Sequence, residues 1–242
     1  MSVEEPSFRA ASDASLQAFA PVRGWCAREV EEELPGLALA SAEIHVAREG
    51  SLSGRSPRDV KERLRELSNR YRGATAVSMR RDPVPVAYRV FFRQIGLDPE
   101  VARTPIEAAV LERMLRGGFL TGGLLEDVLL IALLDTGVPV WALDAASIDG
   151  PLGIRASADG ESLGHDADGL PLPAGRLVVA DASAPVATLF GEVADEHAPA
   201  GSAQRLIAFA VLVAGVPELY AEEALWGVRA ALEWGRSSPA PP

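Results

Sequence analysis

The sequence predicts an α+β fold with helices packed on one mostly antiparallel main sheet. Three observations lead there: helical periodicity dominates up to Asp135, short apolar strand-like runs follow Gly137, and an amphipathic helix closes the chain. The 242 residues are 48% apolar and 24% charged, the ordinary range for a chain able to bury a real core. Residues 15–235 read as a single domain. Residues 1–14 and the 236–242 tail read as disordered, being polar or Pro-rich without periodicity.

Taken in order, "PVRGWCAREVEEEL" reads as a helix ending before Pro35 and Gly36, and "LALASAEIHV" alternates as a strand. After the Gly/Ser loop "REGSLSGRS", Ser56 offers a helix cap, Pro57 suits the first helical position, and Asp59 favours the positive helix end. Val60, Leu64, Leu67 and Tyr71 then recur at helical spacing, with Gly73 as the stop. "VAYRVFFRQIG" predicts a helix bounded by Pro85 and Gly96. Thr104-Pro105-Ile106-Glu107 opens another, with a Glu placed to reach back to its cap, running to about Arg116. "GLLEDVLLIALLD" reads as a buried helix. "PVWALD", "LGIRAS", "RLVVAD", "VATLF" and "RLIAFAVLVAG" read as strands, with Asp159-Gly160 as a hairpin turn. "PELYAEEALWGVRAALEWG" is the closing helix, and no internal repeat is present.

The formal net charge is −11. From Arg55 to Arg93, however, eleven Lys or Arg face four acids, so this band carries +7 on a remainder of −18. Arg58, Lys61, Arg65 and Arg72 fall opposite the apolar face of their helix. Two readings stay open: a solvated helix face balancing an acidic body, or an electrostatic contact with an RNA backbone. No apolar run reaches the ~18 residues of a membrane span. The acidic start is unlike a secretory leader, and the single Cys26 cannot form an internal disulfide. The expectation is a cytoplasmic protein with no membrane or DNA partner.

The common chemical motifs are absent. There is no phosphate loop, dinucleotide fingerprint or paired-His zinc motif, and "GSLSG" places Leu52 where a nucleophile elbow needs Ser. Cys26 reads as a small apolar residue. "HDADG" at 165–169 lacks the further ligands of a calcium loop. His45, His165 and His197 lie far apart in sequence without Cys partners, so neither a metal nor a cofactor is expected.

The stretch "EDVLLIALLDTGVPVWALDAASIDGPLGIRASADGESL" resembles the B3/B4 domain of the bacterial phenylalanyl-tRNA synthetase β subunit and its stand-alone relatives. The resemblance runs through Asp127, Gly137, Pro139, Ala142, Asp144, Gly150, Arg155, Ala156, Gly160 and Glu161. "RLVVADASAPVATLFGEV" continues it through Asp181, Pro185 and Gly191, and "RTPIEAAVLERML" is similar to the upstream helix of the stand-alone members. It covers residues 82–224, so the earlier residues form an N-terminal helical extension.

The resemblance implies a pocket for the acyl end of an aminoacyl-tRNA, where a positioned water hydrolyses a wrongly esterified tyrosine. This sequence departs from that pattern at the recognition positions. Leu129-Leu130 stand for Thr-Asn, Trp141 for a pocket histidine, and Glu192 for a glycine. The Glu that reads the tyrosine hydroxyl falls near Ala208-Phe209. Polar groups are lost where recognition is carried, so another acyl group or a filled site is implied.

The candidate catalytic residues are Asp127, Asp144 and Glu192. The candidate substrate contacts are Trp141, Arg103, Glu107, Arg155 and Glu161, and the candidate RNA contacts are Arg58, Lys61, Arg65 and Arg72. Each has a plainer reading. Asp144 suits a turn, Arg155 and Glu161 suit a salt bridge across the hairpin, Arg103 and Glu107 suit a helix cap, and Trp141 suits core filling. The expectation is a binding or trans-editing factor for aminoacyl-tRNA. The alternative is a non-catalytic ligand or protein module that kept the fold.

Overall fold

A computed structural model of the protein describes residues 19–47, 52–165 and 169–233; the segments expected to be disordered, 1–14 and 236–242, lie outside the described residues. In chain order the elements are β1 (Val22–Arg23), β2 (Trp25–Cys26), α1 (Arg28–Glu33), β3 (Ala38–His45), α2 (Arg58–Arg70), α3 (Ala74–Ser78), α4 (Pro83–Gln94), α5 (Pro105–Arg116), α6 (Leu124–Thr136), β4 (Val140–Asp144), β5 (Gly153–Ala156), β6 (Leu177–Ala180), β7 (Pro185–Thr188), β8 (Arg205–Leu212) and α7 (Glu218–Glu233). The fold is α+β, as the sequence predicts.

The strands form two four-stranded sheets rather than one main sheet. The first has the order β1-β3-β8-β4 and is antiparallel throughout; the second has the order β2-β5-β6-β7, parallel only between β2 and β5. One apolar cluster joins them, from Leu39, Leu143 and Val211 of the first sheet to Ile154, Val179 and Val186 of the second. Against the expected N-terminal helix, "VRGWC" is two short strands, and only Arg28–Glu33 is helical. The chain crosses from one sheet to the other here: the Gly24 amide donates to Leu39, and the Trp25 amide to Leu152. Burial of the indole face against Gly153, with its N–H on the Pro151 carbonyl at 2.9 Å, outweighs local helix preference.

The predicted helices are present with small shifts. In α2, Val60, Leu64 and Leu67 are buried at helical spacing. Its capping position is Pro57, and the Ser56 hydroxyl turns inward to Asp127 instead of capping. Helix α4 starts at Pro83, two residues before the predicted Pro85, and the Tyr88 hydroxyl ties it to the Val211 carbonyl at 2.7 Å. Helix α6 is buried along most of its length and packs between α2 and α7. Asp159-Gly160 does make a turn, but not a tight hairpin, because β5 pairs with β6 twenty residues further on.

Candidate functional site

Trp141 lies on β4 opposite Phe209 of β8 in the antiparallel register. Side chains alternate across a strand, so the two rings share one sheet face while Ala142 and Ala208 take the other. The rings stack with centroids 5.6 Å apart and planes 16° from parallel. These are two of the positions where the resemblance implies polar pocket groups, and they are neighbours. Phe190 closes over them, 6.0 Å from Trp141, and also meets Tyr88, Phe91 and Phe92 of α4. It does so at φ 59°, the only non-glycine with positive φ among the described residues. Backbone strain of roughly 1–2 kcal/mol is thus offset by aromatic packing.

The candidate carboxylates occupy separate places. Asp127 is buried in the first turn of α6, accepting from the Ser56 hydroxyl and from the Gly122 amide at 2.9 Å. Nine helical residues, about 14 Å, separate it from the end of α6 that feeds the Trp141 strand. Asp144 accepts from the Ala146 amide at 2.9 Å and turns the chain after β4. Glu192 is exposed and lines an open cleft of about 310 Å³ with Leu163, Leu170, Val193, Asp195 and Glu196.

Three of the predicted substrate contacts, Glu107, Arg155 and Glu161, form ion pairs. Arg155 and Glu161 meet in a two-pronged pair, and the Ala158 amide adds a bond of 2.8 Å. The Arg155 guanidinium holds the Glu161 carboxyl below its ordinary value, against a smaller opposing push from burial. Glu107 accepts from the Thr104 amide at 3.3 Å, as its capping role predicts, and from the Thr104 hydroxyl at 2.9 Å. It also pairs with Arg80 at 2.6 Å and with Arg89 at 2.5 Å. Glu100 bridges the same two arginines. Burial pushes the Glu107 carboxyl up, but hydrogen bonds from Arg80, Thr104 and Arg89 outweigh it and hold it low. Arg103 is exposed beside this network and forms no ion pair among the described residues. Arg80, Arg89 and Glu100 were not singled out from the sequence: Arg80 comes from the 3-10 turn Met79–Arg81, Arg89 from α4, Glu100 from the α4–α5 connection and Glu107 from α5, and only the tertiary fold brings them together.

The basic band is partly self-neutralised. Arg58 pairs with Glu62, Arg63 with Glu66 and Asp135, and Arg70 with Asp135. Lys61 and Arg65 lie on α2 without an acid partner among the described residues. Arg72 is exposed but lies past the end of α2 at Arg70, so it is not part of the helix face as predicted.

Cys26 is half-buried. Burial and then Glu31 and Glu29 push its thiol up, which disfavours a thiolate nucleophile.

The histidines differ from expectation. His45 lies on β3, but His165 and His197 come together with ring centroids 5.2 Å apart. Glu196 sits with them, its Oε1 3.0 Å from His165 Nδ1 and 3.3 Å from His197 Nε2. Sequence spacing hid this trio because His165 reaches it from the β5–β6 connection and His197 from the short 3-10 turn Asp195–His197. Residues 166–168 of "HDADG" lie outside the described residues.

No protein-family model matches the chain. It is similar over 93 residues to phenylalanine–tRNA ligase beta subunits: 39% identical in Xanthomonas oryzae pv. oryzae, and 38% in Xanthomonas euvesicatoria pv. vesicatoria and Xylella fastidiosa. That stretch is 38% of this chain but 11% of each relative. The α+β fold, with no described helix long and apolar enough to cross a membrane, therefore carries a segment related to the phenylalanine–tRNA ligase beta subunit.

Proposed function

We propose that this chain is a B3/B4-type module that binds aminoacyl-tRNA, with a specificity altered from tyrosine. The observation that supports it is the 39% identity over 93 residues to subunits named phenylalanine–tRNA ligase beta. Trp141 and Phe209 form an aromatic wall where the resemblance implies polar groups, so the acyl group is apolar or aromatic without a hydroxyl to be read. Lys61, Arg65 and Arg72 contact the phosphate backbone. Ester hydrolysis of a mischarged tRNA is the activity to assay, with Glu192 as the exposed carboxylate able to orient a water.

A second reading, a non-catalytic ligand or protein module in the cytoplasm, is favoured by Phe190 closing over Trp141 and by the hydrogen bonds that occupy Asp127 and Asp144. Deacylation of a panel of correctly and wrongly charged tRNAs separates the two. Hydrolysis of one mischarged species, with its acyl preference changed in Trp141→His, supports the first. Binding without hydrolysis supports a carrier, and absence of both removes the tRNA reading. Asp127→Ala is a poor probe of catalysis, since it leaves the Ser56 hydroxyl and the Gly122 amide without their acceptor.

A further inference from the structure

We propose that His165, Glu196 and His197 form a binding site for a divalent metal of the zinc class. Ser147 Oγ donates its single proton to the Asp144 carbonyl at 2.9 Å, so it accepts from His197 Nδ1 at 3.0 Å. The hydrogen-bond network thereby assigns the proton to Nδ1 and leaves the lone pair on Nε2. That Nε2 is buried and has no hydrogen-bond partner among the described residues, yet it stands 3.3 Å from Glu196 Oε1. A lone pair facing a carboxylate is unfavourable, and a cation between them reverses the sign.

The donor set suits zinc: two imidazoles and a carboxylate, with a second group orienting the buried ring. Tetrahedral ligands at ~2.0–2.1 Å from a metal stand about 3.3 Å apart. The Glu196 oxygen stands 3.0 and 3.3 Å from the two histidine nitrogens, and the donor atoms of all three residues lie within 4.8 Å. His165 is exposed, so its ring can make the remaining adjustment. The backbone is shaped for the carboxylate: Gly164 has φ +86°, and a Cβ there would stand 2.6 Å from Glu196 Oε1. The Gly164 amide is pinned to the Pro185 carbonyl at 2.8 Å, so this loop is held against β7. Glu196 also lines the 310 Å³ cleft, which gives water and metal a route in and leaves the fourth coordination position accessible.

The test uses the full chain, stripped with chelator and titrated with Zn²⁺ by calorimetry and with Co²⁺ by visible absorption. The expected result is one metal per chain and a tetrahedral Co²⁺ spectrum. Both are lost in His165→Ala and Glu196→Gln, and Ser147→Ala weakens binding about 10-fold through the orienting bond. His165 and Glu196 are partly exposed, so their variants should fold, and far-UV circular dichroism checks that they do. A Zn²⁺-dependent rise in Tm present in the wild type and absent from His165→Ala is the second readout. No Co²⁺ spectrum at millimolar metal overturns the proposal, as does Zn²⁺ affinity unchanged in both ligand variants. A proton shared by His197 and Glu196 that persists in excess Zn²⁺, seen by imidazole NMR, also overturns it.

Discussion

Glu107 illustrates how one side chain can be legible for one role and hidden for another. Its place three residues after Thr104 announces a capping box, and the backbone contact is made. Its buried carboxylate also neutralises Arg80 and Arg89, which no local pattern reveals. Removing it leaves Arg80 and Arg89 with the more exposed Glu100 as their acid partner and takes the acceptor from Thr104, so Glu107→Ala should cost about 1–3 kcal/mol, read from the urea midpoint. The network also predicts a pH dependence. Arg80 and Arg89 hold Glu100 down to about 2 from its ordinary 4.5, and Glu107 is lowered too. A carboxyl lowered by folding contributes stability that is fully present above 4.5 and lost as pH falls towards 2. Urea midpoints should therefore fall between pH 5 and pH 2 (roughly the window set by the carboxylates), and Glu107→Gln should flatten that fall. At Phe190, Ala keeps the positive φ while Gly relieves it. Phe190→Gly should be about 1 kcal/mol more stable than Phe190→Ala, although both lose the ring.

At the level of elements, helices with an amphipathic stripe and marked ends were readable. Val60, Leu64 and Leu67 fix the buried face of α2, and Thr104 with Pro105 fixes the start of α5. The segment around Trp25 was not readable, because its conformation comes from partners far along the chain. Trp25 packs where a side chain on Gly153 would lie, a Cβ there standing 2.0 Å from the indole. Gly153→Ala should displace Trp25 from the β2–β5 pair and cost roughly 1–3 kcal/mol, seen as a lower Tm and a shifted tryptophan emission. The β5–β6 pairing was missed for a related reason: Asp159-Gly160 is a sound turn, but a turn does not say which strand follows it.

For the whole molecule, charge decides what the tRNA reading must survive. Five of the eleven cations between Arg55 and Arg93 are engaged in ion pairs, which leaves Lys61, Arg65 and Arg72 among the unpaired ones on an acidic protein. If these three carry the contact, log K should fall against log salt with a slope of about −2 to −3. Lys61→Ala with Arg65→Ala should then reduce the slope by about 1 to 2, measured by filter binding over a salt series. A slope unchanged by the pair would assign any RNA contact to another surface.

The sequence by itself determined the α+β class, the helical faces and the strand stretches after Gly137. Each of these is written in local periodicity, in turn and cap residues, or in a motif of fixed order. The tertiary structure alone decided that the strands make two sheets, that Trp141 and Phe209 stack under Phe190, and that His165, Glu196 and His197 meet. These depend on contacts between residues far apart in the chain, such as Trp141 with Phe209 or Ala38 with Leu212, and on strands with several possible partners. Periodicity says which face of an element is buried, but not which distant element buries it.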